Sequence, residues 1–416
     1  MAGTLSLYAI VSGTLITGAA NSLLTKYQDN QCVKHCSSLD DPTLRQNFNQ
    51  PVIQTLQMFL GEFAMLFVYL IYRYYNNVEK LALQASVEND AAVKTNDGKI
   101  GLFQNWRLAI PAICDLSCTT LLNVGLIYTP VSIYQMTRGS VVLFVAVLSV
   151  IFLKRKITKL QWASLAFVSL GVAIVGLSGS RNSGNTSDGK SVSALSAANT
   201  TTTTTSAAGL LIFGIILIVL ATSLQGIQFV VEEHILAKNP IMPLQLVYIE
   251  GFFGVVTIFV FMIIFNYIFS WLDTPAEFGD SQFNMIEAFR QVLTNRTVLI
   301  SSILIMISIA GFNYCGLSIT HRISATARST VDTCRTLIVW IVALIMQWER
   351  FYFLQLMGFV VLVFGTLCFN GVLTAENWKF VPNWLKEKDN DFAEISATAE
   401  ETRTLIEEFE EFENRT

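Results

Sequence analysis

Charge is scarce in this chain: Asp, Glu, Lys and Arg make up only 14% of its 416 residues, and there are three histidines. That scarcity excludes an ordinary soluble domain, and it excludes a nucleic-acid-binding surface, which needs clustered Lys and Arg. His234 and His321 stand alone, with no Cys or carboxylate at ligand spacing, so no metal site is expected. No Ser or Cys nucleophile sits in a loop beside a base, and no Walker or nicotinamide fingerprint appears. The chain is therefore not expected to be an enzyme, to hold a cofactor or to be driven directly by ATP.

What fills the chain instead is apolar. Hydrophobic residues make up 52% of the sequence, and the mean hydropathy is +0.51. Ten apolar runs recur, at 4–25, 52–72, 107–127, 131–153, 159–178, 209–231, 244–270, 298–317, 323–346 and 352–374. Each approaches the roughly 20 residues a helix needs to cross about 30 Å of hydrocarbon. The expected fold class is an all-α membrane protein with ten transmembrane helices.

Lys and Arg in the connecting segments orient such a protein. With the N-terminus in the cytosol, sixteen of the 27 fall on the cytosolic side and eight on the other; Arg138, Arg328 and Arg335 lie inside spans. This predicts both termini in the cytosol (N-in, C-in). The run Lys154, Arg155, Lys156 fits that inside bias. The sequons at Asn185, Asn199 and Asn295 all fall on the opposite, lumenal side, where glycosylation occurs, whereas Asn414 falls in the cytosolic tail. Cys32 and Cys36 share the first lumenal loop, where oxidising conditions permit a disulfide. The other five cysteines lie in spans and read as packing residues.

Residues 179–208 are rich in Ser, Thr, Asn and Gly, too polar to bury a core. They form a lumenal linker between residues 1–178 and residues 209–374, five spans each, and residues 375–416 form an acidic cytosolic tail. The halves echo each other. Gln161 to Gly171 aligns with Gln355 to Gly365, FLGEF (59–63) with IEGFF (249–253), and Asn123 and Gly125 recur as Asn313 and Gly316. An odd number of spans per half inverts the second repeat relative to the first, the mark of transporters with a mid-membrane site between repeats. Gly171, Gly176, Gly358 and Gly365 read as close-packing positions on the fifth and tenth spans.

The stretches MFLGEF (58–63), CDLSCTTLLNVGL (114–126), SIYQMTRGSVVLF (132–144), QFVVEEH (228–234), EGFFG (250–254) and SATARSTVDTCRTLIVW (324–340) carry a resemblance that covers both halves. The chain resembles the drug/metabolite transporter superfamily, and within it solute carrier family 35, subfamily F. That group is nucleotide-sugar-transporter-like and also resembles the chloroquine-resistance transporters. The resemblance implies a transporter of a small-molecule substrate and leaves the substrate open.

Charges inside spans face a bundle interior or a wet cavity. Arg328, Asp332 and Arg335 are four and three residues apart, on one helical face. They read either as a network that locks the ninth span to the fourth or as part of a polar cavity. Tyr134, Gln135 and Arg138 repeat the spacing on the fourth span, and there Arg138 has no acidic residue one turn away. With Asp115, Gln225 and Gln228 these form the expected substrate cavity, with Glu232 on the same stripe as the two glutamines. Glu62, Glu250 and Asp115 are candidates for proton coupling, since a desolvated carboxyl can change protonation in a cycle. The 283–293 stretch, with Phe283, Ile286, Phe289, Val292 and Leu293 at helical spacing, predicts a short amphipathic helix.

The expected activity is alternating-access transport of a small polar or anionic organic solute across an endomembrane, by a monomer or homodimer. The alternative is a non-transporting scaffold or receptor whose tail binds a partner. In that tail Glu401, Leu405 and Ile406 resemble an acidic dileucine signal, which implies a cytosolic sorting adaptor and a lysosomal or vacuolar membrane, with Golgi as the alternative address.

Overall fold

The backbone of a chain in hydrocarbon must satisfy its own hydrogen bonds, and uninterrupted apolar runs do so as helices. A computed structural model describes residues 2–34, 36, 46–48, 50–86, 108–129, 131–155, 157–183, 205–238, 241–272, 284–347 and 352–371. Twelve helices lie among them: α1 (Ala2–Asp29), α2 (Pro51–Ser86), α3 (Ala109–Tyr128), α4 (Val131–Arg138), α5 (Val141–Leu153), α6 (Lys159–Ser183), α7 (Thr205–Lys238), α8 (Pro243–Leu272), α9 (Met285–Thr294), α10 (Arg296–Arg322), α11 (Ala325–Ile345) and α12 (Phe353–Phe369).

Among the described residues, seven stretches are long and apolar enough to cross a membrane. They lie in α1, α2, α3, α7, α8 and α10 and, as one span, in α4 with α5; the apolar cores of α6 and α12 are shorter. Of the two remaining helices, α9 has 10 residues and α11 has 21 and carries Arg328, Asp332 and Arg335. Among the described residues the molecule is an all-α membrane protein apart from one strand pair outside the spans. That pair, β1 (Cys32–Lys34) antiparallel to β2 (Gln46–Asn47), was not legible as a strand pattern.

Several ends overrun the expected spans. Helix α2 continues to Ser86 and α7 to Lys238, because hydropathy marks where apolar residues stop, whereas a helix continues through polar residues in water. Local signals set other starts. Pro51 and Pro243 open α2 and α8 at positions that need no N–H partner. Before α6, Thr158 and Gln161 form a capping box: the Gln161 amide oxygen accepts from Thr158 N at 3.0 Å, and the Thr158 hydroxyl accepts from Gln161 N at 3.2 Å.

The largest departure from expectation is the fourth span, 131–153, which is two helices rather than one. Around Gly139–Ser140 the N–H groups of Gly139, Ser140 and Leu143 donate to the carbonyls of Met136, Thr137 and Ser140, each three residues back. A single glycine in an apolar run does not announce such a break.

The helices group into two compact units, each drawing on both halves of the sequence. The first comprises residues 1–123 and 231–321 and the second comprises 124–230 and 322–416. In the first, α2 packs along α8. Gly251 abuts Glu62 and the backbone of Phe63, and Gly254 lies flat against the Phe59 ring. Phe48, Leu56, Phe59, Ile258 and Val292 are buried in its core.

In the second unit α6 packs along α12. Gly171 meets Leu362 and Gly358, while Gly365 meets Val168 and Ser164. Pairing 171 with 365 also pairs 168 with 362 and 164 with 358, so the two contacts exchange under a local two-fold between α6 and α12. A methyl on Gly171 would lie 2.7 Å from Leu362 N and 2.8 Å from the Gly358 carbonyl oxygen, atoms that cannot move without shifting a helix. Gly171→Ala is therefore expected to lower stability by about 1–3 kcal/mol. Thermal unfolding of the detergent-solubilised variant checks this, and a melting temperature equal to wild type would refute the close-packing role.

Candidate functional site

Helix α4 ends at Arg138, which places a cation in its last turn, at the negative end of the helix. The break that follows is held from two sides within the second unit. Ser140 Oγ lies 3.3 Å from Thr222 Oγ1 of α7. Thr333 Oγ1 of α11 is 3.4 Å from the Gly139 carbonyl oxygen and also bonds the Ser329 carbonyl at 3.0 Å. None of Gly139, Ser140, Thr222 or Thr333 was singled out in the sequence. Small hydroxyl residues in spans are too common to mark a site.

Helix α11 starts where Ser324 Oγ accepts from Ala327 N at 3.1 Å. Its 3.6-residue period then carries Arg328, Asp332 and Arg335 into the interior, at 3%, 1% and 2% exposure. Arg335 Nε donates to Asp332 Oδ1 at 2.7 Å. Sequence spacing placed Asp332 between two guanidinium groups. The hydrogen bond is to Arg335, whereas the Arg328 guanidinium lies over the Phe229 ring, 4.1 Å from its centroid. Asp332 nevertheless sits in the field of all three arginines, Arg335, Arg138 and Arg328, and Arg335 sits in that of Tyr134.

Arg138 is partly accessible, whereas Arg328 and Arg335 are enclosed. Tyr134, Gln135, Gln225 and Gln228 are buried in the same unit. The side-chain oxygens of Gln135, Thr137 and Gln225 are buried with no hydrogen-bond partner among the described residues. Such atoms are an unmet demand for water or ligand, since buried polar groups are normally paired.

The other predicted residues fall in the first unit. Glu62 accepts a hydrogen bond from Asn313 Nδ2, and Glu62, Glu232 and Glu250 are buried. Asp115 is half-buried on α3. Of the expected cavity set, Tyr134, Gln135, Arg138, Gln225 and Gln228 belong to the second unit and Asp115 to the first. No cluster of three or more metal-ligating side chains occurs among the described residues.

Outside the spans, Cys32 and Cys36 form a disulfide. Asn295, a sequon residue, lies at the start of α10. Asn185, Asn199, Glu401, Leu405 and Ile406 fall outside the described residues.

Apolar helices carrying an interior cluster of charged and polar side chains beside a broken span mark a multi-pass membrane protein. A family model for nucleotide-sugar transporters matches residues 45–270. An uncharacterized protein of Schizosaccharomyces pombe is 36% identical over 366 residues, covering 86% of this chain and 96% of its own length. Solute carrier family 35 member F6 of Mus musculus is 32% identical over 362 residues, and that of Homo sapiens 30% over 358. Each alignment covers 86% of this chain and 87% of the relative. The chain belongs to the nucleotide-sugar transporter family, on its solute carrier 35 F-like branch, and is a membrane transporter.

The Asp332–Arg335 bond generates a stability prediction. Asp332→Asn leaves a fully buried guanidinium without its carboxylate, an expected loss of about 3–5 kcal/mol. The yield of monodisperse protein should collapse, and adding Arg335→Gln should restore much of it. Normal yield of Asp332→Asn alone would show that the pair does not hold the fold.

Proposed function

We propose that the protein moves a small organic anion, or a polar solute with an anionic group, across an endomembrane by alternating access. The observation that carries this reading is a partly accessible Arg138 in the same unit as the buried, unmatched side-chain oxygens of Gln135, Thr137 and Gln225. A guanidinium at membrane depth is kept where polar groups can meet it, and a solute with an anionic group entering at Arg138 would offer its own hydroxyls to those oxygens. The broken fourth span supports the same reading, because discontinuous helices are where transporters of this kind place their sites.

Arg138, with Tyr134 and Gln135, is the substrate contact in this reading, and Gln225 and Gln228 add amide groups. Glu62, Glu250 and Asp115 are the proposed proton carriers. The local two-fold between α6 and α12, whose positions align between the sequence halves, supports two inverted five-helix repeats, and the Lys and Arg distribution supports N-in, C-in. The dileucine-like Glu401, Leu405 and Ile406 support a lysosomal or vacuolar address through a cytosolic adaptor, and the lumenal side of the linker makes Asn185 and Asn199 glycan acceptors.

Uptake of nucleotide and sugar-phosphate anions into proteoliposomes tests the function. Arg138→Ala should give normal yield and melting temperature with uptake reduced at least tenfold, and Arg138→Lys should retain part of it. A purified wild type that takes up none of a broad panel of organic anions, with or without a pH gradient, would favour a scaffold instead.

The address is tested separately. Leu405→Ala with Ile406→Ala should move the protein to the cell surface or Golgi at unchanged abundance. A double variant that still reaches the lysosome or vacuole removes the tail as the signal.

A further inference from the structure

Asn295-Arg296-Thr297 reads as a glycan acceptor on the lumenal side, but the structure gives this side chain other work. Its Oδ1 accepts from Thr297 N at 3.0 Å and from Val298 N at 3.4 Å, capping the first turn of α10. Its Nδ2, the atom a glycan would modify, donates to the Cys32 carbonyl at 3.0 Å across 263 residues of chain. Arg296 and Thr297 are already helical, so the sequon lacks the extended backbone that an acceptor peptide presents. The apolar span begins at the very next residue, Arg296, which leaves no stem to lift Asn295 off the membrane surface.

The carbonyl it holds belongs to a built element. Cys32 opens β1, pairs with Asn47 of β2 and is bonded to Cys36. Phe48 N donates to the Gln31 carbonyl at 2.8 Å, and the Phe48 ring is 1% exposed in a core shared with Ala288 and Val292 of α9. Lys34 Nζ lies 3.3 Å from Glu287 Oε1, and Asn284 caps α9 by accepting from Glu287 N at 3.2 Å. The amphipathic helix expected at 283–293 is thus the outer wall of a small cap, with Ile286 and Leu293 exposed on its far face.

The cap meets α10 at Asn295. Beneath it a buried polar file continues, with Gln28 Nε2 and Gln57 Nε2 each donating to Ser302 Oγ at 2.9 Å.

We infer that Asn295 is an unmodified tether, not a glycosylation site: it joins the disulfide-bonded strand pair of the first loop to the N-terminus of α10 and so closes the extramembrane cap of the first unit. The inference takes the lumenal setting of this loop from the proposed topology. It contradicts the sequon reading, and it assigns the hydrogen bonds of both amide atoms to folding.

Glycopeptide mass spectrometry of the full chain from a eukaryotic host is the test, with one control variant, Glu277→Asn together with Gly279→Thr, which places an acceptor earlier in the same loop. The control should be occupied and Asn295 empty. Glycan on Asn295 overturns the inference, and an unoccupied control overturns the lumenal setting it rests on while leaving the transport reading standing. As a second readout, Asn295→Asp keeps the capping oxygen and loses only the donor to Cys32. Its melting temperature should fall by a few degrees, and Cys32→Ser with Cys36→Ser should add less to that fall than it produces alone, since both act on one contact. An Asn295→Asp protein as stable as wild type removes the tether.

Discussion

Burying guanidinium groups in hydrocarbon is the constraint on which the second unit is organised. An isolated charge there is strongly unfavourable, so each of the three arginines needs an explicit arrangement. Arg335 has the Asp332 carboxylate at 2.7 Å, Arg328 has the face of Phe229, and Arg138 has the negative end of α4. Each arrangement lowers the free energy of a guanidinium at membrane depth by a different kind of contact.

The same constraint connects the helix break to the site. A continuous fourth span would bury the Gly139 carbonyl in its own ladder. Because Leu143 N turns to Ser140 instead, that carbonyl faces the Thr333 hydroxyl of α11, and Ser140 faces Thr222 of α7. The residue that ends α4 is Arg138, so the break and the accessible cation are one local feature. Close packing of α6 on α12 through Gly171, Gly358 and Gly365 gives the unit a rigid back, against which such a break can be stable.

The first unit solves a different problem. Its Glu62 carboxyl accepts from the neutral amide of Asn313, and its extramembrane end is tied by short-range chemistry: a disulfide, a strand pair, two helix caps and one amide. The disulfide, the strand pair and the two caps are local in sequence, whereas the amide of Asn295 reaches a carbonyl 263 residues away.

Membrane class, helical class and the list of charged residues at membrane depth were determined by sequence alone. The physical reason is that hydropathy and the exclusion of charge from lipid are summed locally, residue by residue. The 3.6-residue period also placed Arg328, Asp332 and Arg335 on one face, and the amphipathic spacing found α9. Tertiary structure decided what local sums cannot carry. It chose Arg335 over Arg328 as the partner of Asp332, because the Phe229 ring comes from another helix. It broke the fourth span at Gly139, through hydroxyls supplied by α7 and α11. It also engaged Asn295 with a carbonyl 263 residues away, a partner that no three-residue motif contains.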